Sequence, residues 1–304
     1  MRTNPYRLNH AAFAILLYAC CFLSFLSTAR ADARGKVEQL IRESGAEMVG
    51  VAFYDLATGR EMLINADESF HAASTMKIPV MMEVFRQAGQ GRLSLDERLT
   101  IKNQFASIAD GSHYSISADS DSEPTLYTRI GKSATVRELV ELMVRVSSNL
   151  ATNILIERVS PARVMDLMRE VGATNIRVLR GVEDSRAYQR GLNNTTTARD
   201  LLVVLRSIAE RRAVSARASD QMVEVMFGQR FNESIPAGLP NGVRVAHKTG
   251  AITRINHDAA IVYPPGRKPY VLVILTRGLG DEKRAHRLMA DISKAVYETT
   301  AAGH

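Results

Sequence analysis

The spacing of hydrophobic positions changes along the chain. In residues 34–45, "RGKVEQLIRESG", Val37, Leu40 and Ile41 fall on one helical face and the pattern stops at Gly45. "EMVGVAFYDLATGREMLINAD" then reads as two strands joined at Ala57-Thr58-Gly59. From Met76 to about residue 228 the spacing is mostly helical. "TVRELVELMVRV" (135–146) and "TARDLLVVLRSIA" (197–209) each open on a threonine cap with an acid in the first turn. Short β-branched runs return in "VRVAHKTG", "HDAAIVYP" and "PYVLVILT", the last two split by the turn "PPGRK". A final helical pattern, "DEKRAHRLMADISKAVYE", closes the chain. Strands at both ends with helices between them predict an α/β fold: an antiparallel sheet completed by both chain ends and flanked by helices, with an all-α lobe inserted.

Two stretches depart from this pattern. Residues 103–134, "NQFASIADGSHYSISADSDSEPTLYTRIGKSA", are polar and Ser/Asp-rich with little period, and a loop of that length is functional or disordered. At the start, Arg2 and Arg7 precede the apolar "AAFAILLYACCFLSFLS" and then "TARA", which reads as a secretory signal peptide over residues 1–31, cut after Ala31. An uncleaved anchor is the competing reading, since the stretch is nearly long enough to span a bilayer with tilt.

That cut changes the charge. The chain has 304 residues, 39 basic and 32 acidic, a formal +7; losing Arg2, Arg7 and Arg30 leaves 36 against 32, or +4. So modest a charge, with no Lys/Arg block, argues against a nucleic-acid partner. Cys20 and Cys21 are the only cysteines and leave with the signal, so no disulfide or thiol chemistry remains. The histidines left after the cut (71, 113, 247, 257, 286, 304) show no metal-ligand spacing. No metal or cofactor is expected. The remaining chain, 32–304, divides into an α/β lobe (about 32–72 and 229–304) and a helical lobe (about 73–228).

The candidate chemistry begins in "HAASTMKIPV", where Ser74 and Lys77 stand three positions apart before an apolar run. Ser74 can simply cap a helix while Lys77 faces water. Equally, a serine nucleophile needs a neighbouring base, and a lysine one turn away supplies it if held neutral. A nearby cation such as Lys248 would help lower the Lys77 pKa. Two further motifs favour the second reading: "VSSNLATN" with Ser147, Ser148 and Asn149, and "AHKTGAI" with Lys248, Thr249 and Gly250. Ser147 can relay a proton to a leaving nitrogen, Asn149 can bind a substrate amide, and Lys248 with Thr249 can hold a carboxylate. Gly250, without a side chain, lets a ligand approach the strand edge.

This ordered trio resembles the motif set of the serine β-lactamases and penicillin-binding proteins, and over the whole mature chain it is most similar to the class A β-lactamases. Seventy-three positions separate Ser74 from Ser147 and 101 separate Ser147 from Lys248, which suits that family except for extra residues that coincide with the 103–134 loop. The resemblance implies a two-lobed β-lactamase/transpeptidase-like fold with a five-stranded antiparallel sheet, and a monomer acting on a small β-lactam, or a peptidoglycan stem peptide, in the periplasm or outside the cell. It implies that Ser74 is acylated, that the backbone N–H groups of Ser74 and Ala251 form the oxyanion hole, and that Lys77 is a base. Ser147 with Lys248 protonates the ring nitrogen. Asn149, Lys248, Thr249, Gly250 and Ala251 bind substrate. In the family the long loop would lie beside the site mouth and shape substrate entry.

Three departures stand out. Ser148 replaces the family's usual aspartate, which implies a local change rather than loss of activity. Arg180 and Glu183 fit half of an Arg-x-x-Glu-x-x-x-Asn loop whose glutamate deacylates the enzyme, but Ala187 replaces the Asn; Asn193 or Asn194 is a possible stand-in, and an ion pair of Glu183 with Arg180 or Arg186 is the structural alternative. Asn256 stands where the family has a carboxylate-binding arginine; Arg254 or Arg277 could reach in from nearby, but each reads more simply as a surface residue. The imperfect loop keeps two other readings open: a D-alanyl-D-alanine peptidase or esterase that turns over β-lactams weakly, and a sensor that stays acylated.

Overall fold

The computed structural model describes residues 33–301. The signal-peptide reading of residues 1–31, with both cysteines, lies outside them.

Helix α1 (33–44) ends at Gly45, whose φ of 72° reverses the chain into the sheet. Strands β1 (Met48–Asp55) and β2 (Glu61–Ile64) form a hairpin, and β3 (Arg244–Ile252), β4 (Ile255–Tyr263) and β5 (Tyr270–Arg277) form a meander. The five lie in the order β2-β1-β5-β4-β3, every neighbour antiparallel, so the first strand pairs with the last, Val51 opposite Ile274. Both chain ends therefore complete one sheet, as the pattern of strands predicts.

Alternation decides where the sheet's side chains go. On one face Val49, Val51, Phe53, Leu272 and Ile274 pack against Val37 of α1 and Leu288, Met289 and Ile292 of α9 (Glu282–Ala301). On the other, Ala52, Ile261, Val271, Val273 and Leu275 join the core of the helical lobe. A sheet buried on both faces needs apolar residues at consecutive positions, which is why "YVLVILT" reads as a continuous run.

The helical lobe is built from α2 (Lys77–Gly89), α3 (Val136–Arg145), α4 (Asn149–Val159), α5 (Pro161–Val171), α6 (Ser185–Gln189), α7 (Ala198–Ala209) and α8 (Ala216–Phe227). The threonine caps form as expected: Thr135 accepts from Glu138 N and Thr197 from Asp200 N. Met76, Met81 and Met82 are core residues.

The 103–134 stretch is an ordered piece of the lobe. Phe105–Ala106 pairs with His113–Tyr114, a 3₁₀ turn runs over Pro124–Arg129 with Leu126 buried, and Ser133–Thr135 pairs with Arg98–Thr100. Its low apolar content reflects polar anchoring: Asn103 binds Ile116 through both ends of its side-chain amide, and Ser107, Tyr114 and Asp121 reach into neighbouring elements. Among the described residues no helix is long and apolar enough to cross a membrane.

Candidate active site

Ser74 lies in a 3₁₀ turn, Ala73–Met76, that runs directly into α2, so Lys77 is the first residue of the helix. Ala73, beside the serine, has φ 45°. This strained conformation for a residue with a side chain is held by the packing around it. The turn sits against β3 at Gly250: a methyl group there would lie 3.0 Å from Ser74 N and 3.1 Å from Thr75 N. A glycine is what lets the strand and the nucleophile's turn touch.

Ser147 occupies the corner between α3 and α4 with φ 61°. Its hydroxyl oxygen lies 3.1 Å from Lys77 Nζ and 3.0 Å from Lys248 Nζ. Lys77 Nζ also reaches Ser147 O at 2.7 Å and Asn149 Oδ1 at 3.0 Å, while Lys248 donates to Thr249 O at 2.8 Å. Both lysines are wholly buried. Burial lowers the Lys77 pKa from 10.5 to about 7, against the opposing charges of Asp121 and Glu183. Burial, and then the charge of Lys77, lower that of Lys248, with Asp258 opposing. Lys77 Nζ donates to all three partners, which the three hydrogens of the ammonium serve at once; the neutral amine keeps two hydrogens and a lone pair. Among the described hydrogen bonds none joins Ser74 Oγ to Lys77, and Ser74 lines the cleft.

That cleft has two connected parts. One, of about 410 Å³, is bounded by Ser74, Asn149, Glu183, Tyr188 and Ala251. The other, of about 320 Å³, runs past Ser74, Ser147, Thr249 and Gly250 towards Glu233 and Glu282. The structure thus gathers Ser74, Asn149, Glu183 and Ala251 at the junction, with Ser147, Thr249 and Gly250 lining one side and the two lysines beneath.

Glu183 has φ 61° and lies 3.5 Å from Asn149 Nδ2. Neither ion pair offered as its alternative forms: Arg180 bonds Leu192 O, Gly181 O and Asn193 Oδ1, and Arg186 pairs with Asp110. The two substitute asparagines are otherwise engaged. Asn194 accepts from Leu179 N and Arg180 N and donates to Arg180 O, closing the loop's neck, and Asn193 serves Arg180. Ala187, where the family's asparagine would stand, is fully buried in α6.

Arg254 and Arg277 do not reach in and are surface residues, the simpler of the two sequence readings. Arg254 bonds Glu47 and Gly278 O outside the cleft, and Arg277 bonds Ser69 O beside the Phe70 ring. Asn256, on β4 opposite Ala251, lines the second part of the cleft. His247 is buried against Asp258 at 2.9 Å.

Sequence reasoning missed four supporting residues. Asn153 accepts from Val182 N and donates to Val182 O, fixing the segment before Glu183; its place four residues after Asn149, on the same helix face, was a usable signal. Tyr114 donates to Val182 O, Asp184 accepts from Ser107 Oγ and Ile108 N, and Asp121 lies against the start of α4. These three contacts link segments far apart in sequence, and no local pattern encodes them.

Comparison with known proteins agrees with this geometry. The family model described as "Beta-lactamase enzyme family" matches residues 32–300. A β-lactamase of Streptomyces albus G is 29% identical over 277 residues, covering 88% of this chain and 84% of that protein. Among solved structures, a mutant of the class A β-lactamase described as the last common ancestor of Gram-negative bacteria aligns with a TM-score of 0.78 at 27% identity, covering 90% of this chain and 100% of that one. An acyl-enzyme complex of a PBP-A mutant with penicillin G aligns with a TM-score of 0.76 at 26% identity, covering 90% and 97%. With Ser74, Lys77, Ser147 and Lys248 arranged as described, and with the match running from residue 32 to residue 300, the chain belongs to the β-lactamase enzyme family.

Proposed function

We propose that this protein hydrolyses β-lactams through a covalent acyl-serine intermediate. The observation that carries the reading is the Ser147 hydroxyl held between the two buried lysines, 3.1 and 3.0 Å away, at the edge of the cleft that Ser74 lines. Ser74 Oγ attacks the β-lactam carbonyl carbon, and its proton passes to the neutral amine of Lys77. The carbonyl oxygen becomes an oxyanion under the backbone N–H groups of Ser74 and Ala251, a form of stabilisation worth several kcal/mol per donor in acyl transfer. Collapse breaks the C–N bond as the Ser147 hydroxyl gives its proton to the ring nitrogen, and the lysine pair returns one to Ser147. Asn149 holds the side-chain amide of the drug, and Thr249 with Lys248 holds its carboxylate. Glu183 then removes a proton from a water molecule that attacks the ester, and Ser74 leaves with a proton. The protein works as an exported monomer, released from the membrane when residues 1–31 are cut.

A second reading, a D-alanyl-D-alanine peptidase of penicillin-binding type, is favoured by one observation: buried Ala187 leaves Glu183 without the usual asparagine. One experiment separates them. The mature protein is mixed with excess benzylpenicillin, ring opening is followed by absorbance, and intact mass is sampled. Many turnovers without a lasting adduct support the β-lactamase. A stable stoichiometric adduct on Ser74 with little turnover supports the penicillin-binding enzyme. Neither ring opening nor adduct rejects both.

A further inference from the structure

The second motif lacks an acid, yet an acid stands at its position in space. Asp121, 7% exposed, comes from the long loop 27 positions before Ser148. One of its oxygens, Oδ2, accepts from Asn149 N at 3.0 Å and Leu150 N at 2.8 Å, the first two amides of α4, and from the Tyr127 hydroxyl at 2.9 Å. The Ser148 hydroxyl donates to the same oxygen at 3.4 Å while its own oxygen caps Ala151 N. The other oxygen accepts from Glu123 N at 3.1 Å, which ties the carboxylate to its own loop.

We propose that Asp121 is a positioning residue for acylation: a carboxylate supplied by the 103–134 loop that fixes the start of α4, and with it Ser147 and Asn149, in place of an acid within the motif. This rests on the acyl-serine reading of the site. Two physical reasons support it. Ser147 holds φ 61°, a conformation that persists only where its surroundings over-determine it, and the residues immediately after it are the ones Asp121 ties down. The negative charge also complements the exposed amides of a helix start. Because Ser147 O and Asn149 Oδ1 are both partners of Lys77 Nζ, a shift of this corner displaces the base as well as the relay hydroxyl.

The charge reaches Lys77 too. The groups facing Lys77 are Asp121 and Glu183, which hold its pKa up, and Lys248, which shares the Ser147 hydroxyl. Removing the charge at 121 therefore lets the Lys77 pKa fall further, and acylation retains its base to lower pH.

The test compares wild type, Asp121→Asn and Asp121→Asn/Ser148→Asp by the rate of covalent labelling with benzylpenicillin across pH, together with hydrogen exchange at the Asn149 and Leu150 amides. A misplaced reacting group costs up to about 100-fold in rate, so Asp121→Asn should lose about 10- to 100-fold in acylation above pH 7. The acid limb should move to lower pH, and the two amides should exchange faster. The second acid should return most of the rate by restoring charge at the helix start. Unchanged acylation in Asp121→Asn would overturn the proposal, and so would a loss with an unmoved acid limb and no recovery in the double variant. If wild type is not labelled at all, the acyl-serine reading has failed instead. Amide exchange then still decides whether Asp121 holds this corner, unaltered exchange rejecting it.

Discussion

Lys77 is a buried amine whose neighbours decide its protonation. Burial brings its pKa to about 7, so the neutral form dominates above that pH and the ammonium below it. With Lys77 as the proposed base, protonation removes it, so the acylation rate should fall as pH drops below about 7 and level off above it, as single-turnover labelling across pH would measure. A limb near the ordinary lysine value would show that Lys77 is not the base. Replacing Ser74 with alanine should abolish covalent labelling by benzylpenicillin. Glu183→Gln should leave labelling intact and slow release of the adduct by about 10²- to 10⁴-fold, the usual contribution of a positioned general base. Intact mass spectrometry distinguishes the trapped ester from normal turnover. These residues were legible from the sequence because Ser-x-x-Lys, Ser-x-Asn and Lys-Thr-Gly each occupy a short window. The roles of Asn193 and Asn194 were not, because they lie within reach of Glu183 in sequence but bond to Arg180 and the loop's neck instead.

At the scale of elements, helix starts do most of the positioning. Asp184 caps α6 by accepting from Ala187 N and anchors the long loop through Ser107 and Ile108, so one carboxylate holds the segment that carries Glu183. Asp184→Ala should cost about 1–3 kcal/mol from the lost cap and the unpaired Ser107 hydroxyl, and should slow deacylation more than acylation. Equal losses in both steps would mean that the loop does not depend on this anchor. Thr197, the cap of α7, does not line the cleft. Thr197→Ala should lower stability by about 1 kcal/mol and Tm by about 3 °C without changing turnover. The helices and their caps could be read from spacing because both obey local rules. The 103–134 loop could not, because its order comes from hydrogen bonds to α4 and to the segment around Glu183.

On the scale of the whole molecule, the two chain ends are tied together at the sheet. Arg267, just before β5, donates to Asp55 at the end of β1 and to Thr300 O near the end of α9, with both members of the ion pair almost fully buried. Burial pushes the Asp55 carboxyl up, but hydrogen bonds from Arg267, Ala57 and Thr58 outweigh it and hold the pKa below the usual 3.8. The stabilisation is therefore present above that value and is lost as pH falls through the lowered one. Arg267→Ala leaves a buried carboxylate unpaired and should cost about 3–5 kcal/mol, a Tm loss of roughly 10 °C. A loss well below this in calorimetry would mean that water replaces the partner. By itself the sequence determined the alternation of strands and helices, the sheet shared by both ends, and the three candidate motifs, because each is set by side-chain period or by a few neighbouring residues. Only the tertiary structure decided which groups share one hydroxyl, that burial lowers the pKa of both lysines, where the arginines point, and that an aspartate from a distant loop stands at the acid-free motif. Those outcomes depend on burial and on distances between segments far apart along the chain, which no local pattern specifies.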